Sequence, residues 1–424
     1  MKYYKTYTLG CKVNTYETQA VCKQLDENGY QQSESDECDL LIINTCAVTL
    51  MSEKKSRQKI RSLKKEYPNA IILVMGCYSQ LHPEEVSKIP GVDIIIGTSK
   101  RNQIISLIEE YEKNHSLIEK VEKNNRNLTY ECLNIDSYNE NTRAFLKIQD
   151  GCNNFCSYCV IPYTRGNIRS RSCEDIIKEV HRLVANGYQE IVLTGIDMAS
   201  YGLDLNQDIN LNKLIKMILD SEKNLKRLRI SSLEASQIDD EFIDLLKNYP
   251  NIARHLHIPL QSGCEKILKL MNRKYTKDEF QERLKKIRTA IPNIALACDV
   301  IVGFPSESDT DFEETCQFII DCGFNYLHVF PYSPRPGTLA AKMKDQVDEK
   351  IKKQRVRELI RIGEKLKNQY EDLFDGKEVE VIFETFNSKE NVYQGYSSNY
   401  LEVKLASEDN LEGKYLKTIY HKSN

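Results

Sequence analysis

Residues 144–159 read AFLKIQDGCNNFCSYC, an apolar run with strand character followed by a glycine and three cysteines, Cys152, Cys156 and Cys159. The CxxxCxxC spacing puts three thiols within eight residues. That is enough to wrap one face of a [4Fe-4S] cube and leave its fourth iron without a protein ligand. An open iron can bind a small molecule. The competing reading is a structural zinc site, but zinc ribbons prefer paired CxxC hairpins with four ligands, and no second pair lies nearby.

The strand that feeds the triplet is the first of six. Ala144–Gln149, Ile191–Thr194, Leu228–Ser231, His255–Leu260, Ala295–Val302 and Tyr326–Pro331 alternate with helical stretches at Glu174–Ala185, Leu211–Asp220, Asp239–Asn248, Lys277–Ala290 and Asp309–Asp321. Six such units predict a partial or full (β/α) barrel with its chemistry at the C-terminal ends of the strands.

Upstream, short apolar runs at Tyr3–Leu9, Leu40–Asn44, Ile71–Met75 and Ile94–Ile96 alternate with polar helical stretches, which predicts an α/β domain with a mostly parallel sheet. Three cysteines closely follow predicted strands: Cys11 in TLGCKVN, Cys46 in NTCAVT and Cys77 in MGCY. The C-terminal edges of parallel strands share one rim, so these thiols can converge on a second three-cysteine cluster despite their separation in sequence. From about Glu109 the chain turns charged and Asn-rich, through Asn124 and Asn125 to Asn139, Glu140 and Asn141, which places a boundary there. Glu349–Glu371 reads as one charged helix. Period-two patterns at Glu378–Phe386, Val392–Tyr396, Tyr400–Leu405 and Tyr415–Tyr420 then predict a small antiparallel β-barrel. The expected domains are 1–125, 139–365 and 370–424.

Fourteen cysteines with no apparent leader point away from a disulfide scaffold, and the chain is expected to be cytoplasmic with no membrane span. Eight of them, Cys22, Cys38, Cys132, Cys173, Cys264, Cys298, Cys316 and Cys322, stand alone and are expected to be buried small apolar residues. The net charge of −3 advertises no nucleic-acid partner, so any basic surface must be local.

The triplet, with an aromatic residue just before its last cysteine, resembles the signature of the radical S-adenosylmethionine superfamily. With the N-terminal cysteines and the C-terminal β-domain, the whole chain resembles the methylthiotransferases. The wording TLGCKVN, NTCAVT, IQDGCNNFCSYCVIPYTRG and HIPLQSG is most similar to the branch that acts on N6-threonylcarbamoyladenosine at position 37 of tRNA. A sister branch acting on isopentenyladenosine shares NNFC and PYTRG, and stays open as an alternative.

The resemblance implies two [4Fe-4S] clusters. Cys152, Cys156 and Cys159 would hold the one that cleaves S-adenosylmethionine to a 5'-deoxyadenosyl radical, and Cys11, Cys46 and Cys77 an auxiliary one that carries the sulfur. One S-adenosylmethionine would supply the methyl group and a second the radical that takes hydrogen from C2 of the adenine. Tyr158 would pack near the cofactor's adenine. Thr194 and Gly195, Ser231 and Glu234, and Asp299 and Gly303, at successive strand ends, would complete the cofactor site.

An anticodon loop requires cations, and Lys54, Lys55, Arg57 and Arg61 after Cys46, with Arg165, Arg169 and Arg171 after Cys159, are the expected contacts. Residues from Asp372 onward carry six lysines, no arginine and ten acidic residues, so that domain's bulk charge opposes RNA. A monomer reduced by a flavodoxin- or ferredoxin-like donor is implied. Outside this family, a ferredoxin-like electron carrier or a noncatalytic RNA-binding protein with structural metal would also use clustered cysteines.

Overall fold

The computed structural model describes residues 2–123, 125–136 and 142–422. Strands β1 (Lys2–Thr8), β2 (Tyr30–Gln32), β3 (Leu40–Thr45), β4 (Ile71–Gly76), β5 (Ile94–Ile96) and β6 (Ile118–Lys120) form one parallel sheet in the order β2-β1-β3-β4-β5-β6. β3 and β4 are nearly unbroken apolar runs because helices cover both of their faces. Leu40 and Ile42 pack with Val21 and Leu25 of α1 (Lys12–Glu27) and with Ile104 and Ile108 of α5 (Ile104–Asn114). Leu41 and Ile43 pack on the other face with Ile60 and Leu63 of α2 (Leu50–Glu66), beside α3 (Cys77–Leu81) and α4 (Pro83–Ser87). Each such side chain contributes about 1.5–3 kcal/mol. Strand order reverses between β1 and β3, and ligands bind at the C-terminal edge of such a switch point.

The charged stretch from Glu109 still belongs in part to this sheet, since α5 runs to Asn114 and β6 adds an edge strand whose Ile118 is buried. Asn124, Asn139, Glu140 and Asn141 of the expected boundary lie outside the described residues.

The second unit contains β7 (Arg143–Lys147), β8 (Gln149–Asp150), α6 (Ile161–Arg165), β9 (Arg169–Ser170), α7 (Cys173–Ala185), β10 (Glu190–Thr194), α8 (Leu211–Ser221), β11 (Arg227–Ile230), α9 (Asp240–Asn248), β12 (His255–His257), α10 (Glu265–Leu270), α11 (Lys277–Ala290), β13 (Ala295–Val302), α12 (Asp309–Cys322) and β14 (Tyr326–Pro331). Its strands form two parallel triplets, β11-β10-β7 and β12-β13-β14, joined by bridges at Leu228–Ile252 and Ser232–His257. Among the described residues β7 and β14 do not pair, so the barrel is partial. Outer helices turn apolar stripes inward. In α8 the buried Leu211, Leu214, Ile215, Ile218 and Leu219 follow the 3.6-residue period. Capping boxes at Thr276/Glu279 and Ser308/Asp311 start α11 and α12.

After α13 (Glu349–Asp372) come β15 (Glu378–Asn387), β16 (Val392–Ser397), β17 (Glu402–Leu405) and β18 (Tyr415–Ile419), antiparallel in the order β17-β16-β15-β18. Among the described residues no ladder joins β17 to β18, so the antiparallel strands of the expected small β-barrel pair as an open sheet. Its apolar face, with Val381, Phe383 and Val403, is covered by Tyr370 of α13 and by Ala295 and Tyr326 of the barrel, so closure on itself is not needed. Arg227 fastens it by donating to the carbonyls of Tyr396 (3.0 Å) and Glu380 (2.8 Å).

Candidate functional site: two cysteine triads and the cavity beside Cys11

Register explains how the first triad assembles. Thr8 of β1 pairs with Asn44 of β3, and Thr45 of β3 with Gly76 of β4, so Cys11, Cys46 and Cys77 emerge from one edge of the sheet. Cys46 and Cys77 are buried, Cys11 is exposed, and the three thiols lie close enough to act on one another electrostatically. Gly76 adopts φ +106°, and a Cβ there would sit 2.4 Å from Asn44 Oδ1 and 2.5 Å from the Thr45 carbonyl. Only glycine lets the chain pass this close to β3 before Cys77. Asn14 clips the loops together, with Nδ2 donating to the Leu9 carbonyl (3.0 Å), Asn44 Oδ1 (3.1 Å) and the Thr45 carbonyl (3.2 Å).

Cys152, Cys156 and Cys159 form the second triad on the loop between β8 and α6, again within mutual electrostatic reach. Donors already point at the sulfurs. The Asn154 N–H reaches Cys152 Sγ at 3.4 Å, the Ile161 N–H reaches Cys159 Sγ at 3.4 Å, and Arg273 Nη1 reaches Cys156 Sγ at 3.5 Å. Such donors stabilise cluster thiolates and tune the cluster. Burial pushes the free Cys77 and Cys159 thiols up to about 12. Burial and the Asp197 carboxylate push Cys152 up as well, so metal binding displaces protons. Among the described residues no group of three His, Cys, Asp or Glu side chains is gathered tightly enough for a single ion. A cubane spreads its thiolates over separate irons and asks only that they face a common space. Both donor sets fit that group.

Beside the first triad lies a cavity of about 770 Å³ lined by all three units of the chain, with Cys11 in its wall, while Cys156 lines a separate cavity of about 240 Å³. Gly10, Cys11 and Lys12 contribute from the first, Thr194, Gly195, Ser231, His255, His257 and His328 from the barrel, and Tyr400 from the C-terminal sheet. Burial and Arg143 and Arg229 push Lys12 down to about 8. Burial, with Arg229 next, holds His255 well below its ordinary value and therefore neutral. His257 faces Asp299 at 3.0 Å and stacks on His328, ring centroids 5.1 Å apart.

Three expected cofactor residues, Thr194, Gly195 and Ser231, line this cavity, and Ser231 Oγ donates to Thr194 Oγ1 at 3.4 Å. Glu234 instead lines a neighbouring cavity of about 240 Å³ with Cys156 and accepts from Arg273 Nη2 at 2.5 Å. Tyr158 packs edge-on against Phe304, centroids 6.4 Å apart. A Cβ on Gly303 would meet Lys352 Cγ at 2.1 Å, so this glycine serves the packing of α13.

The basic residues divide. Lys54, Lys55 and Arg61 are exposed on α2, while Arg57 is half-buried and donates to Tyr78 Oη (3.2 Å) and Glu85 (3.4 Å). Arg165, Arg169 and Arg171 are corrected, because all three are buried in ion pairs and offer nothing to a phosphate. Arg165 meets Glu17 and Asp150, Arg169 meets Asp150 at 3.3 Å, and Arg171 meets Glu179 at 2.6 Å. Of the eight isolated cysteines, Cys132 is exposed and Cys38 partly so, and the other six are buried as expected. Lys12, His255, His328, Asp197 and Arg273 were not singled out from sequence. The period-two alternation of His255 and His257 on one strand was the available signal for an inward-facing polar pair.

Comparison with known proteins identifies the family. The radical SAM superfamily matches residues 146–319, and the family described as uncharacterized protein family UPF0004 matches residues 3–97. The threonylcarbamoyladenosine tRNA methylthiotransferase MtaB of Bacillus subtilis is 45% identical over 97% of this chain and 92% of its own length. Its Aquifex aeolicus counterpart is 37% identical over 94% and 95%. A tRNA-2-methylthio-N(6)-dimethylallyladenosine synthase of Thermoanaerobacter is 37% identical over 92% and 83%. Among solved structures, the radical S-adenosylmethionine methyltransferase TsrM of Kitasatospora setae shares the fold at a TM-score of 0.61 and 13% identity, over 80% of this chain and 77% of that one. On the strength of these near full-length identities and of the radical SAM match over the barrel, the chain belongs to the radical S-adenosylmethionine methylthiotransferases, enzymes that use S-adenosylmethionine and a [4Fe-4S] cluster.

Proposed function

We propose that this enzyme places a methylthio group on C2 of N6-threonylcarbamoyladenosine at position 37 of tRNA, using two clusters and two molecules of S-adenosylmethionine. The observation that carries the reading is the cavity between the units, where Cys11 of the N-terminal triad and the barrel strand-end residues Thr194, Gly195 and Ser231 line the same space. Identity of 45% to a threonylcarbamoyladenosine enzyme, against 37% to a dimethylallyladenosine one, supports the choice of nucleoside.

Cys152, Cys156 and Cys159 would hold the cluster that, when bound and reduced, would supply the electron for cleaving S-adenosylmethionine. Cys11, Cys46 and Cys77 hold the auxiliary cluster. Thr194, Gly195 and Ser231 shape the bed for the cofactor, with Tyr158, Glu234 and Asp299 behind it. The chain's own contribution is alignment and exclusion of water. Lys54, Lys55 and Arg61 on α2 meet backbone phosphates of the anticodon loop. Exposed Phe155 and Tyr163, edge to face at 6.0 Å, offer stacking surfaces for unpaired bases. A flavodoxin- or ferredoxin-like protein donates electrons, and the enzyme works as a cytoplasmic monomer. No helix among the described residues is long and apolar enough to cross a membrane.

Mass spectrometry of tRNA nucleosides from cells lacking the gene tests the substrate. The 2-methylthio form of threonylcarbamoyladenosine is expected to vanish while that of isopentenyladenosine persists; the reverse pattern would overturn the assignment.

A further inference from the structure

The shared cavity holds several cations, and nearly all are already engaged. Arg229 donates to Glu190 (2.8 Å) and to the carbonyls of Ser397 (3.2 Å) and Ser398 (3.4 Å). His257 faces Asp299 at 3.0 Å, and Lys367 faces Glu371 at 3.5 Å. Lys12 differs. Its side chain is exposed to the cavity, and among the described residues no hydrogen bond or ion pair reaches its ammonium. Of the carboxylates around it, Glu190 is shared by Arg227 and Arg229, and Glu364 lies on α13 near Lys367.

A second unfilled polar group lines the same space. His255 is only 8% exposed, stacks on Tyr400 with centroids 4.5 Å apart, and its Nδ1 has no hydrogen-bond partner. A buried ring nitrogen without a partner is costly unless a ligand supplies one. Helix α1 begins at Lys12 with no side-chain cap and no acidic residue in its first turn, so its free amide ends leave the local potential positive. The wall of the cavity nearest Cys11 is thus prepared for an anion.

We propose that Lys12, with the His255 side chain beside it in the cavity wall, receives the carboxylate of the threonylcarbamoyl group and so selects an acidic N6 substituent over an apolar one. The inference rests on the proposed nucleoside and assigns its recognition to these two side chains. Lys12 follows Cys11 directly, so a substrate held by its carboxylate here is held beside the auxiliary triad. An apolar N6 group would leave the Lys12 ammonium unanswered, and discrimination of that kind is large when a site is built around a polar partner.

The test is binding to the reconstituted holoenzyme without reductant or S-adenosylmethionine, read by fluorescence anisotropy. The probes are anticodon stem-loops carrying at position 37 threonylcarbamoyladenosine, its neutral methyl ester, or adenosine. The wild type is expected to bind the acid at least about tenfold tighter than the ester, as one charge-assisted hydrogen bond implies. In Lys12→Met that ratio falls to near one, and Lys12→Arg restores part of it, with iron content matched across the three proteins. Equal wild-type affinity for acid and ester would overturn the proposal without recourse to any variant, as would an undiminished ratio in Lys12→Met. In a separate turnover assay with reductant and S-adenosylmethionine, methylthiolation of isopentenyladenosine and not of threonylcarbamoyladenosine would defeat the nucleoside assignment itself.

Discussion

Arg165 and Glu17 lie 148 positions apart and meet as a buried, two-pronged ion pair, Nη1 to Oε1 at 2.9 Å and Nη2 to Oε2 at 3.2 Å. Glu17 belongs to α1, which starts immediately after Cys11, and Arg165 ends α6, which starts just after Cys159. The pair therefore ties one cysteine triad to the other. Arg101 and Lys147 also converge on Glu17, at 2.5 and 2.7 Å, and Arg165 and Lys147 share Asp150. The surrounding cations hold the Glu17 carboxyl well below its usual range despite complete burial.

Removing one partner of a buried pair strands the other. Glu17→Gln leaves Arg101, Lys147 and Arg165 facing one carboxylate fewer, and is expected to destabilise the protein by roughly 3–5 kcal/mol. Urea denaturation measures this. In the fraction that remains folded, methylthio transfer should fall by a larger factor than cleavage of S-adenosylmethionine, because cleavage needs only the barrel triad. Equal loss of both would show that the pair does not set the distance between the triads.

Acid should loosen the C-terminal sheet through Glu190. This carboxylate is shared by Arg229 and Arg227 at 2.8 and 2.9 Å, with Arg143 at 3.8 Å, and the three arginines lower it to about 2 against the penalty of burial. Burial costs Arg227 more than its share of one carboxylate returns, so its own value is lowered, and the net gain is best put at roughly 2–3 kcal/mol. A depressed carboxyl stabilises the fold above its unfolded value near 4.5, and that contribution disappears as pH falls from there through about 2. Glu190→Gln should therefore be less stable than wild type at pH 7, with the difference closing between about pH 4 and pH 2. Denaturation midpoints across that range check the sign; a difference that grew on acidification would contradict it.

Exposed charge on α2 should carry the salt dependence of tRNA binding. Replacing Lys54, Lys55 and Arg61 together by Gln is expected to weaken binding and to reduce the slope of log K against log salt by about 2–3, close to one unit per phosphate contact. An unchanged slope would mean that α2 is a solvated face.

Legibility in the sequence followed locality. The barrel triad is a motif within eight residues, and the three N-terminal cysteines follow strands β1, β3 and β4, whose registers bring their ends to one edge of the sheet. Arg165, Arg169 and Arg171 were misread as phosphate contacts because a sequence shows a run of cations but not the distant carboxylates, Glu17 above all, that bury them. Cys132 looked like any other isolated cysteine, yet it is exposed on the segment leading toward β7. The C-terminal strands were found, but whether they close or lean on α13 depends on packing by Tyr370 and Tyr326, which no period-two pattern reveals. Lys12 lies inside TLGCKVN, where Cys11 alone accounts for the motif and nothing local marks the lysine as facing a cavity.

The division of labour between the triads is the central claim, and one experiment reads it directly. Wild type, Cys156→Ala and Cys46→Ala are reconstituted anaerobically with iron and sulfide, then assayed for iron, for 5'-deoxyadenosine and for the methylthio nucleoside in tRNA. The account expects about eight irons in wild type and about four in each variant. Cleavage should be lost only in Cys156→Ala, and the methylthio product lost in both. Full iron and full product in Cys46→Ala, or cleavage that survives in Cys156→Ala, would contradict it.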